Sequence, residues 1–370
     1  MSSDRAAHTH AGSGDVPARE PVREGARKAK RATMRDVADR AGVSLMTVSR
    51  VLNDTATVKP ATRSRVETAV RELNYRPNLG ARHLAGGRSL FIGLLYRNPS
   101  PGYLSQILSG SLEACRKFGH HLVLEDLGRR DPHSEPVETV ASLNLSGLDA
   151  LIVTPPLSAI RPFVAELEKL GVPIVRFAPA KMSGEGLRVA MDDVGAMREI
   201  VNLIVERGHR RIAFVLGPED HAATRHRARG FEAAVAEHGL DVPQHWLQRG
   251  SFTYRSGFEA GMALLGADDR PTAVIASNDD MAAGVMAAAF RLGLSVPEDV
   301  SVTGFDDTEI ASNMLPALTT IRQPIAEMAT RAVELLDASR DGDAEDAARE
   351  GGILAHTLVE RGSVAPPPEG

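Results

Sequence analysis

Several polar residues fall where short apolar runs end. Asn278-Asp279-Asp280 follows the run Ala273 to Ser277, and Asp306-Asp307 follows Val302 to Phe305. Arg97, Asn98 and Tyr103 come after Ser89 to Tyr96, and Arg176 sits inside Val175-Arg176-Phe177. Arg227 is expected to open the helix after Ile212 to Leu216. In open α/β sheets, ligands bind in the crevice beyond the carboxyl ends of the strands. Guanidinium forks and carboxylates placed there would hydrogen-bond vicinal hydroxyls, and an aromatic ring such as Phe252 would cover a sugar's apolar face. Taken singly, each residue also reads as a helix cap or a surface charge. Together on one rim, they read as a ligand cleft.

The marks of common catalytic sites are missing. No G-x-G-x-x-G follows a strand, and there is no P-loop, G-x-S-x-G elbow or H-E-x-x-H helix. The twelve histidines are scattered, and His120-His121 reads as one core and one surface residue. The single cysteine, Cys115, cannot form an internal disulfide or a metal cluster. The expectation is a binding protein without catalytic residues, metal or cofactor.

The elements that must position this rim are legible as alternation. Ser89 to Tyr96, His121 to Leu127, Ala150 to Thr154, Ile174 to Phe177 and Leu187 to Met191 read as strands. So do Ile212 to Leu216, Ala273 to Ser277 and Val300 to Gly304. Helices are expected between them, such as Tyr103 to Phe118, Ala196 to Arg207, Ser256 to Leu265 and Met281 to Leu292. That order predicts an α/β body of doubly wound parallel sheets, in two similar halves.

The first 90 residues differ in kind. They hold 17 lysines and arginines against 9 aspartates and glutamates, whereas the remaining 280 hold 26 against 39. A basic head on an acidic body suits a domain that meets a polyanion, and charge alone fits a solvated basic tail equally well. Residues 1–32 lack an apolar period and read as a disordered tail. Thr33 then caps a first helix that Gly42 ends, and Ser44 caps a second, Leu45 to Leu52. A third begins at Pro60 and runs to about Asn74. Helix, short turn and helix make a helix-turn-helix. Val48 and Val51 must face its core, which leaves Leu45, Met46, Thr47, Ser49 and Arg50 outside. Arg50 could reach guanine or phosphate, and Leu45 and Met46 a thymine methyl. Asn78 to Arg88 follows as a flexible linker or a hinge helix that orders on a partner.

Arg35-Asp36-Val37-Ala38-Asp39-Arg40-Ala41-Gly42-Val43-Ser44, Thr47-Val48-Ser49-Arg50-Val51-Leu52-Asn53 and Leu73-Asn74-Tyr75-Arg76-Pro77-Asn78 resemble, in order and spacing, the head of the lactose/galactose repressor family. Asn278-Asp279, Gly304-Phe305-Asp306-Asp307 and Leu318-Thr319-Thr320-Ile321-Arg322-Gln323-Pro324 resemble its effector core. The likeness spans about residues 33 to 363. It implies a DNA-binding transcription repressor of carbohydrate genes that answers to a small sugar. Leu45 and Met46 then take the main base-reading positions, with Thr33, Ser44, Thr47, Ser49, Arg50, Asn53 and Asn78 around them, and Leu84 wedges into the minor groove. Arg227 takes the place of a sugar-clamping arginine, Asn278 and Asp306 sugar-binding positions, and Phe252 that of a stacking aromatic. Tyr103 and Arg176 complete the expected effector set. The loop Arg97 to Tyr103, with two prolines, departs from the family pattern.

The expected domains are therefore 1–32 (tail), 33–77 (helix-turn-helix head), 78–88 (hinge helix) and 89–365 (core). The core should resemble periplasmic sugar-binding proteins, two lobes joined by three crossovers. Lobe 1 is placed at about 89–177 and 320–350, and lobe 2 at about 178–319 and 351–365. The expected partners are pseudo-palindromic double-stranded operator DNA, a small carbohydrate and a second copy of the chain, since reading a palindrome needs two-fold symmetry. The end Ser363 to Gly370 has three prolines and no heptads, which bars a tetramerising coiled coil and favours a homodimer. No run approaches the ~18 apolar residues of a membrane span, and residues 1–32 hold no apolar run of a signal peptide. A cytoplasmic setting is expected.

Overall fold

The computed structural model describes residues 34–52, 58–73, 89–98, 100–128, 130–179, 186–339 and 352–368. The tail, the hinge helix with Asn78 and Leu84, and the site residues Thr33 and Asn53 lie outside them. The chain divides into a unit of residues 1–87 and one of 88–370.

In the first unit, α1 (Met34–Ala41), α2 (Leu45–Leu52) and α3 (Pro60–Glu72) enclose a small core. Val37, Ala38 and Ala41 meet Val48, Val51, Val66 and Ala69 there. The turn between α1 and α2 is tight because Gly42 takes a left-handed φ of 62°. Ser44 then caps α2, its Oγ accepting from Thr47 N at 3.2 Å. Arg65, reaching over from α3, donates to the carbonyls of Ala41 and Gly42 and locks that turn.

The second unit runs β1 (Phe91–Tyr96), α4 (Pro101–Phe118), β2 (His121–Asp126), α5 (Pro136–Ser142), β3 (Ala150–Val153), α6 (Arg161–Glu168), β4 (Ile174–Phe177) and β5 (Leu187–Met191). It continues with α7 (Asp193–Glu206), β6 (Ile212–Leu216), α8 (Ala222–Glu237), β7 (Leu247–Arg249), α9 (Tyr254–Leu265), β8 (Ala273–Ala276), α10 (Asp279–Arg291) and β9 (Ser301–Thr303). Then come α11 (Glu309–Asn313), β10 (Thr320–Arg322), α12 (Ile325–Ala338), β11 (Ile353–Leu354) and β12 (Thr357–Val359). Lobe 1 is a parallel sheet in the order β11-β5-β4-β3-β1-β2, and lobe 2 a parallel sheet β7-β6-β8-β9. The antiparallel pair β10-β12 carries two crossings between them. The central strands β1, β3 and β8 are buried on both faces and read as unbroken apolar runs.

Two expectations need correction. The lobe boundaries differ: β5 pairs with β4, so lobe 1 extends through Met191 rather than ending at 177. β11 pairs with β5, so Ile353 and Leu354 return to lobe 1 instead of lobe 2. Sheet membership is a non-local pairing that strand spacing does not encode. Helix α8 also begins at Ala222, not at Arg227, which places that arginine in the second turn.

Candidate functional site

A narrow cavity opens between the lobes at the carboxyl ends of both sheets. Lobe 1 supplies Asn98 and Ser100 from the loop after β1, and Tyr103 from the first turn of α4. Lobe 2 supplies His221 and Arg227 from α8 and its cap, Phe252 before α9, Asn278 as the cap of α10, and Asp306 after β9. The crossings add Asp193 and Gln323. Five of the six residues expected here, Tyr103, Arg227, Phe252, Asn278 and Asp306, thus line one cavity.

Arg176 does not. Side chains alternate along a strand, and Val175 and Phe177 take the buried face of β4. Arg176 points the other way and donates from Nε and Nη2 to Ser158 O at 3.1 and 2.9 Å. The residue of that strand end that reaches the cavity is Ala178.

Arg227 is the centre of the charge arrangement, and it is only 4% exposed. Its Nε donates to Asp193 Oδ1 at 2.9 Å, and its Nη1 donates to Ser277 O and lies 3.9 Å from Asp306 Oδ1. Its guanidinium stacks 3.6 Å over the Phe305 ring. The rigid fork is therefore held on three sides. Asp306 accepts from Gln323 Nε2. Burial lifts its carboxyl well above the usual range, Arg227 pulls it down, and Asp279 pushes it up again. Asp279 sits behind it, accepting from Thr308 N and Oγ1 and Thr320 Oγ1, and burial pushes it up to about 7. Burial also carries the Tyr103 phenol far above its ordinary range, so it is a neutral donor.

Asn278 joins two walls. Its Oδ1 accepts from Met281 N at 3.0 Å, capping α10, while its Nδ2 donates to Phe252 O at 3.2 Å. Phe252 is set down over Gly217, where a Cβ would lie 2.3 Å from its Cζ. The backbone is strained here. Among the described residues, the non-glycine positions with positive φ are Ala178, Phe252, Asp306 and Asp307, and the first three line the cavity. Such conformations persist where the surroundings over-determine them, as at ligand clamps.

On the head, α2 turns Val48 and Val51 inward and leaves Leu45 and Met46 43% and 65% exposed. Ser44 and Arg50 are exposed too, and Thr47 and Ser49 partly so.

Residues 33–78 match the family model for bacterial regulatory proteins of the lacI family, and residues 201–364 match that for the periplasmic binding protein-like domain. The ribose operon repressor of Escherichia coli K12 is 35% identical over 306 residues, 82% of this chain and 92% of the relative. The chain belongs to the LacI family. The transcriptional repressor PurR of Salmonella paratyphi A is 34% identical over 341 residues, 91% of this chain and 98% of that one. A crystal structure of the Lac repressor dimer bound to operator and the anti-inducer ONPF superposes with a TM-score of 0.76 at 30% identity, covering 91% of this chain and all of that one. A LacI-family chain of this build is a DNA-binding transcription repressor under the control of a small-molecule effector.

The sequence reading missed Asp193, His221 and Gln323 in this LacI-family core. The signal for the first two was present, because Asp192-Asp193 follows β5 and Asp220-His221 follows β6, the same strand-end positions that pointed to the others. Among the described residues, no group of three or more histidines, cysteines and acids could hold a metal ion, and no helix is long and apolar enough to cross a membrane.

Proposed function

We propose that the chain is a cytoplasmic, homodimeric repressor of carbohydrate-utilisation genes and has no enzymatic activity. The observation that carries the sugar reading is the fork of Arg227 held between Asp193 and Asp306 beside the Phe252 ring, sealed between two lobes. Adjacent hydroxyls of a sugar ring match a guanidinium and a carboxylate, and the aromatic face covers its C–H side. The name of the ribose operon repressor and the cellobiose complex of the regulator CelR, 30% identical with a TM-score of 0.65, support the same class. Effector binding shifts the closure of the lobes, and the coupling to DNA is the difference in effector affinity between the two states.

Each protomer reads one operator half-site with the outer face of α2. Leu45 and Met46 contact base edges, and Ser44, Thr47, Ser49 and Arg50 fix the helix on the groove. Thr33, Asn53, Asn78 and the hinge Leu84 belong to the same proposal, although they lie outside the described residues. The test is selection of operator fragments from random DNA by the purified protein, followed by titration with a sugar panel. A palindromic site whose occupancy changes with one sugar is the expected result. A protein that selects no sequence, or responds to no sugar, refutes the corresponding half of the reading. Turnover of any sugar by the pure protein refutes the absence of enzymatic activity.

A further inference from the structure

Not every polar atom of the cleft is matched within the protein. His221 is 5% exposed, its Nδ1 lies 3.0 Å from Asp220 Oδ1, and its Nε2 is buried with no hydrogen-bond partner. The ring meets Phe252 edge-on, with centroids 5.0 Å apart and planes at 80°. This bond to His221 holds the Asp220 carboxyl below its usual range, so Asp220 is ionised and accepts. The network therefore places a proton on Nδ1 and leaves Nε2 as the unmatched polar atom on the cavity wall. A buried polar atom without a partner is costly, and a ligand hydroxyl, which both donates and accepts, satisfies it.

The charges lining the cavity point the same way. Asp193 and Asp306 both face it, and Asp280 lies just behind Asn278, 3.3 Å from its Nδ2. Arg227 is the one arginine or lysine among the described lining residues, and its Nε and Nη1 already donate to Asp193 and Ser277 O. A phosphate placed here would have the two carboxyl groups of Asp193 and Asp306 beside that single guanidinium.

We infer that the cleft selects an uncharged sugar, with His221 Nε2 hydrogen-bonded to one of its hydroxyls, and rejects the phosphate ester of the same sugar. This rests on the carbohydrate reading above and sharpens it.

The experiment is calorimetric titration of the full-length protein with D-ribose, D-glucose, D-galactose, D-ribose 5-phosphate, D-glucose 6-phosphate and D-galactose 6-phosphate. One free sugar is expected to bind at least ~30-fold more tightly than its ester. His221→Ala should weaken that sugar by about 10- to 100-fold, and His221→Gln, which keeps an acceptor oxygen, should recover part of the loss at an unchanged unfolding temperature. If an ester binds as tightly as its free sugar, the inference falls and the carbohydrate reading stands. If His221→Ala binds the free sugar like the wild type, the role of His221 falls. If none of the six binds, both the inference and the carbohydrate reading fall.

Discussion

Ser100 and Asp280 are 180 residues apart and stand in different lobes, yet Ser100 Oγ donates to Asp280 Oδ2 at 2.7 Å. The approach is close along this line. A Cβ on Gly102 would lie 2.9 Å from Thr308 Cγ2, so the first turn of α4 can meet the loop after β9 only through a glycine. Any opening of the cleft that parts α4 from α10 must break the hydroxyl–carboxylate bond.

Ser100→Ala should therefore favour the open cleft. A hydrogen bond to a charged group is worth about 1.5–3 kcal/mol, and only the part realised on closure reaches the effector. Effector affinity should drop by roughly 3- to 10-fold, and small-angle scattering should show a more extended apo protein. Wild-type affinity and an unchanged scattering profile would show that the bond does not govern closure.

Arg227→Ala and Asp306→Ala should abolish the response while leaving operator binding in the absence of effector near wild type. Removing either leaves effector hydroxyls or a buried charge unpaired, a loss on the order of 2–4 kcal/mol, or about 30- to 1,000-fold in affinity. Arg227→Ala also strands Asp193, so its unfolding temperature should fall further than that of Asp306→Ala. Operator titrations with and without the sugar check this. A response at the wild-type sugar concentration in both variants would remove these residues from the site.

Arg50→Ala reports how α2 sits on DNA. With Leu45 and Met46 assigned to the base edges, Arg50 is expected on phosphate. Binding should then weaken across all sequences, and the slope of log K against log salt should drop by about one. Loss of discrimination at one base pair, about 1–3 kcal/mol with the slope kept, would move Arg50 to a base instead. Full affinity would refute the docking.

The body should be acid-sensitive through His209. That ring is buried, with its Nε2 2.8 Å from Ala365 O and 3.1 Å from Ser301 Oγ, and burial lowers its pKa below the ordinary histidine value. The unfolded chain therefore binds the proton first. The contribution of His209 to stability is full above about pH 6.5 and declines as the pH falls through that value. Melting temperatures of wild type and His209→Gln should converge between pH 7.5 and 5.5, and parallel curves would refute the linkage.

The sequence alone determined eight of the strands, though not the short β7, β10, β11 and β12, and which strand ends carry chemistry. Apolar runs such as Ile212–Leu216 and Ala273–Ala276 admit no other burial, and caps such as Ser44 and Asn278 act within four residues of themselves. The head's exposed Leu45 and Met46 followed from the helical period once Val48 and Val51 claimed the core. Only the tertiary structure decided which candidates meet. Arg176 and Ala178 differ by two residues, but β4 ends at Phe177 and the left-handed φ of 44° at Ala178 breaks the alternation, so one meets Ser158 and the other the cleft. The place of β11 in lobe 1 depends on pairing with β5 across more than 150 residues, for which local pattern holds no record. The unmatched nitrogen of His221 is likewise invisible to spacing, because whether a polar atom has a partner depends on every group that surrounds it in the folded chain.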